Sequence, residues 1–276
     1  MGIHQSNDPT DFRSQLNNYK MLKIHHLRNA TMVLEMEKEV ILIDPMLGDQ
    51  GIMPSFTLFR HKARKNPTVS LPENASLVLE KVTHCLITHQ HPDHIDSKAV
   101  DFLIKKNIPV TCSVKDKKAF KKKGLNVVQS LKYWEKQEFL GGTIEGIPAQ
   151  HGYGFVAKPM GNVIGFYVKL PNQKSIYLSS DTIYTASVDK VLKDYNPDIS
   201  VLACGAAQFD LFKPVIMSVD DIIKFVKNTS GKVIANHMES INHCPLTRKK
   251  LKEILINNNL IHNVLIPEDG EFMVME

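Results

Sequence analysis

The ten residues ITHQHPDHID, positions 87–96, carry three histidines and two aspartates directly after an apolar run. His89 and His91 are two apart at the end of a strand-like segment, so both imidazoles can point to one side. Two imidazoles at that spacing can hold one metal ion. Asp93 and His94 come after the chain has turned, where they can face a second ion close by. A histidine-rich polar loop is the bland alternative, but the order of ligand types is that of a metal site.

Four groups do not complete two ions. The rest must be acids or histidines at strand ends, where a sheet can aim several loops at one point. His151 ends the strand-like TIEGIPAQH, Asp181 ends SIYLSSD, and His237 ends KVIANH. Singly, each reads as a cap or a buried hydrogen-bonded residue. Together they supply a third imidazole for the first ion, a bridging carboxylate, and a third ligand for the second. His243, in MESINHCPLTR, competes with His237. His237 is preferred because it ends a strand directly, which leaves His243 to support the site or face a substrate. Asp93 and His243 are the residues expected to take part in catalysis.

A site of imidazoles and shared carboxylates without a thiolate suits two divalent ions, Zn2+ first, with Mn2+ or Fe2+ also compatible. Water held between two cations loses a proton near neutral pH and can attack a carbonyl carbon or a phosphorus. No nucleophile-elbow motif points to a serine triad instead. Metal-dependent hydrolysis is the chemistry these residues favour.

The pattern His-x-His-x-Asp-His, followed in order by His151, Asp181 and His237, resembles the metallo-β-lactamase superfamily. The resemblance runs from NATMVLEMEKEVILIDP to the C-terminus. It implies an α/β fold, an αβ/βα sandwich with a dinuclear metal site at the sheet edge. It also implies that Asp44, in ILIDPM, is a buried acid under the metal-binding loop. Where many members continue with glycines after the last histidine, this chain reads HIDS, so Asp96 stands in that place. With NAT near the start and IDPM, the chain is more similar to the branch holding L-ascorbate-6-phosphate lactonase and N-acyl-phosphatidylethanolamine phospholipase D.

The elements that must position these residues are legible in outline. MLKIHHLRNATMVLEM and EVILIDPM are extended segments joined at Glu37-Lys38-Glu39, and VTHCLITH is a short buried strand. SKAVDFLIKKN has helical spacing, with Asp96 or Ser97 as N-cap. NVIGFYVKL and SIYLSS are strands separated by PNQK, a hairpin loop by composition. ASVDKVLKDY, SVDDIIKFVKN and TRKKLKEILINNN are helical and alternate with the strands ISVLACG and KVIANH. The chain closes with a short extended pair around EDG. His25, His26 and His84 read as structural, Cys85 and Cys204 as core, and Cys244 as a neighbour of the site.

Residues 48–74 hold three prolines and four basic residues without a periodic pattern, and form a long surface loop in this reading. Such loops in compact domains are often functional. Arg60 and Arg64, with Lys62 and Lys65, are expected to offer charge to a phosphate or carboxylate of the substrate.

Composition sets the frame. The 276 residues are 43% hydrophobic and 23% charged, as in an ordinary globular protein. Ligands drawn from position 89 to position 237 argue for a single domain over 1–276, with 1–19 a loosely attached segment. The net charge of +5, from 34 basic and 29 acidic residues, is spread along the chain. Basic runs without interleaved aromatics do not suggest a nucleic-acid partner. Four cysteines without a pairing pattern suit a reducing compartment. No apolar stretch reaches the ~20 residues of a membrane span, and the N-terminus lacks the build of a signal peptide. A cytoplasmic protein with a small-molecule substrate, free to form a homo-oligomer, is the expectation. MGIHQS fits the Gly2 myristoylation pattern, although an unmodified start is the plainer reading.

Three substrate readings follow. The first is an ester or lactone of a small, phosphorylated or anionic metabolite. The second is a phosphodiester of a lipid or nucleotide. The third is a non-catalytic, metal-dependent ligand-binding protein, against which the intact ligand set argues.

Overall fold

The structure is a computed structural model and describes residues 21–275; the 1–19 segment and Gly2 lie outside the described residues. Strands β1 (Leu22–Arg28), β2 (Thr31–Glu35) and β3 (Val40–Ile43) form an antiparallel meander. From β3 the pairing turns parallel through β4 (His84–Leu86), β5 (Val110–Ser113) and β6 (Val127–Leu131). Parallel neighbours need crossovers. Helices α1 (Ala75–Leu79), α2 (Ser97–Lys105) and α3 (Lys117–Lys122) provide them.

The second sheet repeats the plan. Strands β7 (Lys136–Phe139), β8 (Gly142–Pro148), β9 (Ile164–Lys169) and β10 (Ile176–Leu178) are antiparallel. Strands β11 (Ile199–Ala203), β12 (Lys232–Asn236) and β13 (Val264–Leu265) continue in parallel. Here α4 (Ala186–Lys190), α5 (Val219–Asn228) and α6 (Arg248–Asn257) cross over. The last strand, β14 (Phe272–Met275), returns to the first sheet beside β1.

Side chains alternate across each strand, so one sequence register feeds two cores. Met32, Leu34, Ile41 and Ile43 face Phe166, Leu178, Val201 and Ile234 between the sheets. Full burial of each stabilises the fold by roughly 1.5–3 kcal/mol. Their neighbours Val33 and Leu42 face α2 and α3 through Leu103 and Phe120. On the other side Tyr177, Leu202 and Val233 face α5 and α6 through Phe225 and Leu255. This is the αβ/βα sandwich that the family resemblance implied.

Three expectations change in detail. MLKIHHLRNATMVLEM is two paired strands rather than one extended segment, because Asn29 takes a left-handed φ of 53° and folds the chain back. The extended pair around EDG is no hairpin: β13 joins β12 and β14 joins β1, in opposite sheets. The 48–74 loop is anchored, not merely superficial. Buried Arg28 donates to the carbonyls of Met46, Gly48 and Val69 at 2.5–3.3 Å. Asn242 binds the loop at the Phe56 amide and the Thr57 carbonyl.

Candidate metal centre

Five loops that leave strand ends converge at one edge of the two sheets. Asp44 follows β3, His89 to His94 follow β4, His151 follows β8, Asp181 follows β10, and His237 follows β12. Asp44 and His237 have left-handed φ values of 44° and 53°, as does Ser180 next to Asp181 at 58°. A non-glycine residue held there costs on the order of 1–3 kcal/mol, and such strain concentrates at functional sites.

The side chains meet as two triads around one carboxylate. His89 Nε2 lies 3.1 Å from His91 Nδ1, which lies 3.3 Å from His151 Nε2. Opposite, His237 Nε2 lies 3.2 Å from His94 Nε2 and 3.3 Å from Asp93 Oδ2. Asp181 Oδ2 sits between them, 3.4 Å from His94 Nε2 and from His151 Nε2 and 3.5 Å from His237 Nε2.

Four of the five imidazoles are oriented by what their outer nitrogens touch. Asp44 accepts the Thr88 amide and hydroxyl at 2.8 and 2.7 Å, and His94 Nδ1 at 2.9 Å. The Thr88 hydroxyl donates its hydrogen bond to Asp44, so it accepts from His89 Nδ1 at 3.0 Å. His151 Nδ1 donates to the Val215 carbonyl at 2.7 Å. His237 Nδ1 is 3.5 Å from Cys244 Sγ. With His89 and His151 protonated on their outer nitrogens, their Nε2 lone pairs both face His91 Nδ1, across 3.1 and 3.3 Å, and that atom has at most one proton to offer. That arrangement calls for cations. Asp181 Oδ1, buried and without a hydrogen-bond partner among the described residues, fits the same conclusion. The histidine and carboxylate donors form groups able to hold metal: His89, His91 and His151 in one, Asp93, His94 and His237 in another, with Asp181 reaching both.

Electrostatics divides the triads. Burial lowers the pKa of His89, His91 and His151, so these rings are neutral. Burial also opposes charge on His94, but Asp181 and Asp44 overcome it and raise the pKa to about 10. His237 is likewise raised well above its ordinary value, because Asp181 and Cys244 outweigh burial. Burial would raise Asp93 and Asp181, yet the facing histidines hold both well below the usual carboxylate range.

Above the cluster opens a cavity of about 190 Å3. Its floor presents His91, Asp93, His151, Asp181 and His243, and its walls are Phe56, Pro92, Met160 and Phe209. His243 is stacked on Phe209 and edge-on to Phe56, with ring centroids 5.2 and 5.4 Å apart. Burial pushes its pKa down to about 4. Of the two competing histidines, His237 is in the cluster and His243 faces the cavity.

Sequence reasoning missed several contributors. The apolar walls carried no periodic signal. Asn29 and Thr31 belong to the NAT segment, which served in the sequence only as a mark of family resemblance and was given no structural role. Asn29 Nδ2 donates to the Asp93 carbonyl at 3.0 Å, and its own carbonyl accepts the His237 amide at 2.9 Å. Thr31 Oγ1 donates to the Asp44 carbonyl at 2.8 Å. Asp96, one of the two N-cap candidates read from the sequence, caps α2 by accepting the Ala99 amide at 2.8 Å, and it also accepts the Gly48 amide at 2.6 Å, which the sequence did not indicate.

Arg60 and Arg64 are not brought to the cavity. Arg60 instead donates through Nε and Nη2 to the Asp210 carbonyl, at 3.2 and 3.1 Å, and Arg64 is exposed. The loop that carries them reaches the cavity through Phe56, not through charge.

Residues 39–238 match the model of the β-lactamase superfamily domain. The chain belongs to that superfamily. Within it, the chain is 32% identical to UPF0173 protein YddR of Bacillus subtilis (strain 168), over 91% of this chain and 98% of that one. Among solved structures, an isothiocyanate hydrolase from Delia radicum gut bacteria is 32% identical with a TM-score of 0.83, covering 92% of this chain and 99% of the other. A possible metal-dependent hydrolase from Veillonella parvula DSM 2008 is 30% identical with a TM-score of 0.85, covering 92% and 100%.

Proposed function

We propose that the chain is a metal-dependent hydrolase that cleaves small, uncharged substrates at an electrophilic carbon carrying an apolar group. Isothiocyanates are the first candidate class and neutral carboxylic esters the second. The observation that carries this reading is the cavity wall of Phe56, Pro92, Met160 and Phe209, with no lysine or arginine among the lining residues. Charge on the reacting group would face the ions on the floor, but an anionic group elsewhere on a metabolite would lie against that apolar wall without a partner, and unpaired buried charge is costly. The similarity to an isothiocyanate hydrolase over nearly the whole chain supports the same substrate class.

Divalent ions held by the two triads would acidify water and polarise the electrophile. The chain's own groups do the rest. The aromatic walls exclude bulk water and hold the apolar substituent over the floor. Asp93 lies on the cavity floor, with Oδ2 3.3 Å from His237 Nε2, and its carboxylate can accept a hydrogen bond from water and orient it. His243 remains neutral at neutral pH, so an imidazole N–H is available to the departing atom. For an isothiocyanate, the oxygen of water bonds to the central carbon and the carbon–nitrogen bond breaks. Both protons finish on nitrogen, giving an amine and carbonyl sulfide.

A panel of alkyl and aryl isothiocyanates, p-nitrophenyl esters, lactones, sugar-phosphate lactones and bis-p-nitrophenyl phosphate tests this. The neutral apolar substrates should have the highest kcat/KM. Preference for the phosphorylated lactone or the phosphodiester would overturn the reading.

A further inference from the structure

Single exposed apolar residues are ordinary on a protein surface, but a cluster is not. Five large apolar side chains are exposed on segments that adjoin the cavity: Leu58, Phe59, Phe155, Leu211 and Phe212, by 59, 89, 76, 67 and 53%. They come from three segments that the structure ties into one surface. The Asp210 carboxylate accepts the amides of Leu58, Phe59 and Arg60 at 2.8–2.9 Å, which fixes the first segment to the third. Phe155 meets Phe212 edge-on at 5.4 Å, which fixes the second to the third. Phe56 and Phe209, from the first and third segments, and Met160, from the second, line the cavity itself, so all three segments adjoin it.

Charge around the patch is one-sided. Segments 52–66, 152–163 and 205–217 hold Arg60, Lys62, Arg64, Lys65, Lys158 and Lys213 against a single acid, Asp210. That acid is already engaged by backbone amides. A second copy of the chain docked about a two-fold axis would set these cations against their own images. An anionic bilayer meets both properties at once: apolar side chains enter the headgroup boundary, and basic ones meet lipid phosphates. We propose that this patch is a membrane-docking surface that seats the cavity mouth on an anionic lipid bilayer. It is independent of which bond the site cleaves.

Co-sedimentation of the full, metal-loaded chain tests the proposal. The vesicles are phosphatidylcholine alone or phosphatidylcholine mixed with phosphatidylglycerol. The protein should partition to the mixed vesicles roughly tenfold or more above the neutral ones, and release as salt screens the charges. The pairs Phe59→Ser with Phe212→Ser, and Lys65→Glu with Lys213→Glu, should each lower partition roughly tenfold or more at unchanged metal content and melting temperature. If the phenylalanine pair fails to fold, the charge pair decides. Absence of partition, or equal partition to neutral and anionic vesicles, overturns the proposal. So does light scattering that shows a dimer dispersed by the phenylalanine pair, since a second copy would then cover this face.

Discussion

His94 Nδ1 lies 2.9 Å from Asp44 Oδ2, and this contact decides which nitrogen His94 turns toward Asp181. Asp44 also takes both polar groups of Thr88, which in turn orients His89. One buried carboxylate thereby sets the direction of one imidazole in each triad. Outer partners of metal-ligating histidines are typically worth 10–100-fold in affinity. Asp44→Asn should therefore weaken metal binding by about tenfold or more, read by competition with a chromophoric chelator. Unchanged affinity would remove Asp44 from the design of the site.

Metal loading should expel protons. With His94 raised to about 10 and His237 also raised, the metal-free site carries imidazolium at neutral pH. A ligand nitrogen must be bare to bind a cation. Affinity should rise with pH through the neutral range, and loading near pH 7 should release at least one proton. Calorimetric titration in buffers of different ionisation enthalpy reads this directly. A binding heat independent of buffer would contradict it.

His237→Ala and His243→Ala should separate cleanly. The first removes a ring that lies within 3.5 Å of Asp93, His94 and Asp181, and should lower the metal content found by elemental analysis. The second alters a cavity-facing ring and should retain metal while changing kcat or KM. Cys244→Val leaves His237 Nδ1 without its neighbour at 3.5 Å and should weaken metal binding less than His237→Ala.

The aromatic walls should govern substrate size. Phe56→Ala and Phe209→Ala should each reduce kcat/KM for an aryl isothiocyanate by about tenfold, about 1.4 kcal/mol, with a smaller loss for a methyl substrate. Equal losses on both would show that the walls do not contact the apolar group.

Asp210 should matter through the loop it holds. It accepts the Thr57 hydroxyl and the amides of Leu58, Phe59 and Arg60. Asp210→Ala should leave metal content intact and speed limited proteolysis at 57–60, because those amides lose their acceptor. Proteolysis at the parent rate would show that Asn242 alone secures the segment.

The sequence by itself determined the residue types of the cluster, their order along the chain, and the strands they terminate. Coordination chemistry admits few side chains, and strands announce themselves by alternation, so both are written in local pattern. Met32, Val33 and Leu34 show this: each face of the first sheet is encoded two residues apart. The turn at Asn29 was not legible, because a left-handed residue inside an apolar run leaves that alternation almost unbroken.

Tertiary structure decided what surrounds those residues. Asn242 reaches the Phe56 amide across 186 positions, and no local pattern reports a contact of that span. Val215 and Cys244 orient His151 and His237 through a carbonyl and a thiol that any nearby chain could have supplied. The same holds for Arg60. Its charge is plain in the sequence, but its direction was set by a carbonyl at Asp210, 150 positions away. Ligand identity is a property of side-chain chemistry, whereas the shape and polarity of the cavity arise only when distant loops pack against one another.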